Sequence, residues 1–117
     1  MEAISTSERR KSVRRPLMVP ARILLPQLPI TPVRTVEISL GGIGILSDAP
    51  IASNSACAIA FELRTLEESR RVNIWGTVTH TTKIQEKMYR SGIELLDTDS
   101  ASRQLLQMFI DELTELE

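Results

Sequence analysis

Between Leu17 and Leu96 the chain passes through six short segments rich in β-branched and apolar residues, with no helical repeat between them. This succession restricts the architecture more than any other feature. The segments run Leu17 to Leu28, Val33 to Ser39, Ile43 to Leu46, Ala56 to Leu63, Val72 to Thr81 and Tyr89 to Leu96. Their connections are far too short for parallel crossovers, so the strands must pair antiparallel, as a sandwich or a small barrel. Pro16, Pro20 and Pro26 withhold ladder donors, which predicts an irregular edge strand for the first segment. Leu40-Gly41-Gly42 is a turn signal, and Gly44 between two isoleucines marks a close backbone approach. Glu67 to Arg71 and Lys83 to Lys87 read as polar connections, and Trp75 as a core residue.

After the last strand the period changes. Leu105, Leu106, Phe109, Ile110, Leu113 and Leu116 recur at helical spacing, with Asp99 or Ser100 as cap, which predicts an amphipathic helix over about 100–116 that covers the open side of the barrel. Residues 1–9 lack hydrophobic periodicity and are expected to form a flexible arm, leaving 10–117 as one domain. A chain of 117 residues has room for one core and no second domain.

Charge and composition remove several function classes. Net charge is −1 overall, yet residues 1–22 carry +4 and residues 94–117 carry −6. Aromatic residues make up 3% of the chain and are scattered, so the base-stacking platform of a single-strand reader is missing, and nucleic acid is not an expected partner. The single cysteine, Cys57, excludes an internal disulfide, and with one histidine, His80, it argues against a Cys/His metal site. Cys57 lies in an apolar run and is expected to be buried and inert. Neither a nucleophile elbow nor a Walker phosphate loop is present, so the chain is not expected to be an enzyme. No apolar run approaches a membrane span or a signal peptide, so the expected location is the cytoplasm, without membrane insertion.

Two motifs remain. Arg10-Lys-Ser-Val-Arg14, followed by Pro16 and Pro20, resembles the RxxxR segment that opens PilZ domains, bacterial receptors for cyclic di-GMP. Downstream, Glu37-Ile38-Ser39-Leu40-Gly41-Gly42 resembles their [D/N]xSxxG motif, and Gly76-x-Val78, Ser91-Gly92-Ile93-Glu94 and the terminal helix follow in the same order. The resemblance covers Glu8 to Leu116. It implies a mainly β fold, a six-stranded antiparallel PilZ-like barrel with a C-terminal helix and a flexible basic N-terminal arm. It also implies cyclic di-GMP as the ligand, with no other cofactor and no metal.

The residues that the resemblance places at the ligand are Arg9, Arg10, Arg14, Glu37, Ser39, Gly41, Gly42 and His80. The chemistry is consistent with that assignment. An arginine fork pairs bidentately with a phosphate or with the O6/N7 edge of guanine, and its plane stacks on purines. Ser39 offers a hydroxyl and the two glycines offer backbone N–H groups. Arg9 resembles family members that hold two intercalated ligands, which implies a monomer or a ligand-linked homodimer. His80 falls where the family often carries a ligand-facing residue. Glu37 departs from the motif by one methylene, which moves its acceptor by about 1.5 Å. Two functions follow from the resemblance. The first is a receptor that orders its basic arm over the barrel and signals through an unidentified effector in motility, secretion or polysaccharide synthesis. The alternative is a PilZ-like interaction adaptor that has lost the ligand.

Overall fold

Alternation of buried and exposed residues with a period of two carries most of the chain into strands. The computed structural model describes residues 14–64, 69–97, 103–104, 106–108 and 110–111. Seven strands are present: β1 (Arg15–Pro16), β2 (Pro20–Leu24), β3 (Thr31–Ile38), β4 (Gly42–Ser47), β5 (Ala56–Arg64), β6 (Ser69–Gln85) and β7 (Met88–Asp97). All pairings are antiparallel.

The barrel consists of two three-stranded meanders, β2–β3–β4 and β5–β6–β7, joined along two seams. One seam is β2–β5, with Ala21 opposite Phe61; the other is β4–β7, with Gly44 opposite Gly92. Six strands thus close on themselves, which leaves no unpaired edge in the ring. The two-residue β1 is additional and pairs with the end of β3, Pro16 opposite Glu37.

Inward rows show why this sequence closes. Ile38, Ile43, Ile93 and Val78 are neighbours across β3, β4, β7 and β6, and all are buried. Ile23, Ile59 and Ile74 form a second buried row across β2, β5 and β6. A residue such as Ile74, 1% exposed, contributes roughly 1.5–3 kcal/mol by leaving water. The C-terminal helix sends Leu106 into the same core, and Ile110 is buried beside it. This matches the expected inward stripe where the helix is described; Asp99, Ser100 and residues 112–117 lie outside the described residues.

Several expectations need correction. The first segment is not an edge strand, since β2 has β3 on one side and β5 on the other. Its prolines are compatible with this because Pro20 is the first residue of the strand and Pro26 lies beyond its end. Trp75 is not core: it is 58% exposed, because buried Ile74 and Gly76 flank it and alternation turns it outward. Ser69 to Arg71 and Lys83 to Gln85 are strand rather than connection, and the β6–β7 hairpin narrows to Glu86 and Lys87, with Lys87 at φ 58°.

Buried Thr35 fixes the entry of the chain. Its hydroxyl accepts from the Val19 N–H at 2.9 Å and donates to the Leu17 carbonyl, tying the β1–β2 connection to β3. With β1 pinned beside Glu37, Arg14 emerges at one defined point on the rim of the barrel.

Candidate functional site

One outward row crosses the β4–β7 seam: Glu37 on β3, Gly44 on β4, Gly92 on β7 and His80 on β6. It lies next to the inward row of Ile38, Ile43, Ile93 and Val78; strand parity sets Glu37, Gly44 and Gly92 on the exterior, and a register shift after Val78 brings His80 out beside them. Two glycines at its centre leave a trough between the Glu37 and His80 side chains. A cavity of about 390 Å³ lies there, within the range of small-ligand sites. Its lining includes Arg14, Glu37, Ser39, Gly41, Gly42, His80 and Arg90. Six of the eight residues expected at the ligand are thereby brought together. Arg9 and Arg10 lie outside the described residues.

Glu37 organises one end of the trough. Its Oε2 accepts from Arg14 Nη1 at 3.0 Å and its Oε1 accepts from Arg90 Nη2 at 3.0 Å. The carboxylate is half-buried while both guanidiniums remain open to solvent. Each guanidinium has five N–H donors, so one bond to Glu37 leaves the remainder free to meet a ligand. The Glu37 carboxylate thus bridges both arginines. A Cβ on Gly44 would lie 3.3 Å from Glu37 Cγ and 3.8 Å from Arg90 Nη2, so the bridge rests directly on the glycine.

His80 forms the other end. A Cβ on Gly92 would collide with the imidazole ring, so the ring lies across the glycine backbone. Thr79 Oγ1 donates to the Gly92 carbonyl at 3.1 Å and also stands 3.1 Å from His80 Nδ1. One hydroxyl thus stands between the β7 carbonyl and the imidazole, which holds the ring over the glycine.

The Ser39 turn builds the floor. Ser39 Oγ accepts from the Gly41 and Gly42 N–H groups at 3.3 and 3.1 Å, and the Ser39 N–H donates to the Gly42 carbonyl at 2.9 Å. The serine is 5% exposed, so its hydroxyl shapes the turn and the two amide donors are spent on it. No glycine has a positive φ, and Gly42 is needed for space: a Cβ there would stand 2.8 Å from the Ile93 carbonyl oxygen.

Arg90 and Thr79 were not among the residues expected from sequence. Parity along Arg90-Ser91-Gly92-Ile93 would have found Arg90, because it shares the face of Gly92 while Ser91 and Ile93 are buried. Thr79 was concealed by a register shift between Val78 and His80, which turns two successive residues outward. Among the described residues no group of three His, Cys, Asp or Glu side chains could hold a metal ion, and no helix is long and apolar enough to cross a membrane. Burial pushes the Cys57 thiol above its usual pKa of 9.0, in keeping with the inert thiol expected from its apolar run.

Comparison with known proteins gives a consistent result. The family model described as "PilZ domain" matches residues 8–112. Among solved structures, the chain is similar to the Bacillus subtilis inhibitor of motility MotI/DgrA, with a TM-score of 0.76 and 19% identity over 91% of this chain and 52% of that one. It is also similar to the PilZ domain of YcgR from Escherichia coli, solved with c-di-GMP, with a TM-score of 0.67 and 19% identity over 92% of each chain. Against the longer YcgR structure in complex with c-di-GMP, the TM-score is 0.58 at 17% identity, over 92% of this chain and 46% of that one. The chain therefore spans about half the length of MotI/DgrA and of the longer YcgR chain. A search of curated protein sequences finds no match.

Proposed function

The chain belongs to the PilZ domain family, and from that premise we propose that it is a non-enzymatic cytoplasmic receptor for cyclic di-GMP, acting through a partner protein. The observation that carries this reading is the Arg14–Glu37–Arg90 bridge above the two-glycine floor. A carboxylate that orients two guanidiniums at the mouth of a cavity lowers the entropy lost when they grip a phosphate or a guanine edge. The His80 imidazole, at the other end of the trough, presents its ring to the same cavity.

Charge balance assigns a role to the arm. Within the described cavity, Arg14 and Arg90 are offset by Glu37 and Glu94. A ligand with two phosphates needs further positive charge, which Arg9 and Arg10 supply when the arm closes over it. In this role Glu37 is a positioning residue rather than the base acceptor that the motif implies, and the Ser39 turn sets the floor.

The same balance favours a second reading, since a cavity neutral without a ligand also fits an adaptor that works without one. Isothermal titration with cyclic di-GMP, with GMP as control, separates the two. Micromolar or tighter binding supports the receptor, and its stoichiometry tests the two-ligand role of Arg9. No heat at high ligand concentration assigns the chain to the adaptor class.

A further inference from the structure

The β2–β5 seam, across the ring from the ligand cavity, carries a second outward surface that the receptor function does not use. Leu24, Ala58 and Trp75 are lateral neighbours on β2, β5 and β6, and Leu24 and Trp75 are 46% and 58% exposed. The next outward row is Pro32, Arg22, Ala60 and Asn73. Beyond it stand Arg34 opposite Pro20, and Glu62 opposite Arg71. The surface thus passes from an apolar end to a basic end over a floor of two alanines. A recess of about 570 Å³ opens in it, with Pro20, Pro32, Ala60 and Phe61 in its lining and Arg22, Arg64 and Arg71 among its charged residues.

Among the described residues, Arg22, Arg34, Arg64 and Arg71 are exposed and make no ion pair, and the acidic residues at these register positions are Glu62, opposite Arg71, and Asp97 on β7, next to Trp75. We propose that this surface docks a protein segment in which apolar side chains alternate with carboxylates, the apolar ones seated against Trp75, Leu24 and the recess and the carboxylates on Arg22, Arg64 and Arg71. Exposed tryptophan and arginine on one face are the residue types that dominate binding energy at protein interfaces. A recess with an alanine floor takes a protruding side chain, which a bilayer surface does not present, so the shape favours a protein over a lipid partner. The segment is taken to be the one that receives the signal, and in that respect the proposal rests on the receptor reading; the surface itself needs no ligand.

The test is selection of a random peptide-display library on the full chain, followed by titration of individual peptides while the fluorescence of Trp75, the sole tryptophan, is recorded. The expected result is enrichment of peptides that combine Asp or Glu with Leu, Phe or Trp and shift the Trp75 emission. Their affinity should fall about tenfold or more in the Arg22→Glu/Arg71→Glu variant and in Trp75→Ala, the latter read by calorimetry. Peptides without acidic enrichment, or equal binding by the charge-reversed variant, would overturn the proposal. So would binding confined to vesicles of phosphatidylcholine and phosphatidylglycerol with no peptide selected. Far-UV circular dichroism and cyclic di-GMP titration of each variant keep the outcomes apart, because loss of the ligand site leaves this surface intact and loss of this surface leaves the ligand site intact.

Discussion

Glu37 and Arg90, 53 residues apart in the chain, meet at 3.0 Å across the backbone of Gly44. The contact joins the two meanders at the mouth of the cavity, so under the proposed function its effect should be read in binding more than in folding. Pairs this exposed contribute about 0–1 kcal/mol to stability.

Arg90→Ala and Arg14→Ala should each weaken cyclic di-GMP binding roughly tenfold to a hundredfold, the consequence of losing a charge-assisted contact of about 1.5–3 kcal/mol. Isothermal titration measures this. Unchanged affinity in both variants would remove these arginines from the site.

Glu37→Ala should reduce affinity through the same arginines while shifting urea stability by less than about 1 kcal/mol. Because Glu37 acts by orienting Arg14 and Arg90, the losses should not add, and Glu37→Ala/Arg14→Ala/Arg90→Ala should bind about as poorly as Arg14→Ala/Arg90→Ala. Additive losses would mean that Glu37 touches the ligand independently.

Gly92→Ala places a methyl group where the His80 ring lies. The ring sits at the end of a movable side chain, so the fold should survive and the ring should swing away. Affinity should then fall to the level of His80→Ala, with little change in thermal midpoint. Gly76→Ala differs, because its Cβ would meet the Glu94 carbonyl and the Ile93 side chain inside the barrel wall. That substitution should cost about 1–3 kcal/mol in urea denaturation.

Cys57 links stability to pH at the alkaline end. Burial raises its folded pKa above the usual 9.0, so the folded state holds its proton where the unfolded chain releases it. Its contribution should be complete below pH 9.0 and fall as pH rises through the folded pKa. Cys57→Ala should flatten that decline in urea titrations above pH 9.0. An identical decline would assign the alkaline loss to other groups.

Much of this organisation was legible in the sequence. The six segments and the antiparallel pairing follow from strand periodicity, the joining of Arg14, Glu37 and the Ser39 turn from two motifs, and His80 from the family resemblance, since a register shift after Val78 hides it from parity. Trp75 was misread because its apolar area was given more weight than its position between buried Ile74 and Gly76. The first segment was misread because prolines were counted without their places at the strand start and beyond its end. Arg90 belongs to no motif; local parity gives the face it stands on, whereas its partner Glu37 depends on which strands close the ring, a relationship that spans the chain.

The closing of two meanders along two seams also bears on how the barrel breathes. Strands within each meander are held by short connections, whereas the seams pair segments distant in sequence and are where the ring can part. A ligand clasped by Arg14 from one meander and Arg90 from the other acts as a rivet across the β4–β7 seam. The β2–β5 seam closes the same ring, so a rivet on one side reduces opening on the other, and amide hydrogen exchange along β2 and β5 should slow when the distant cavity fills.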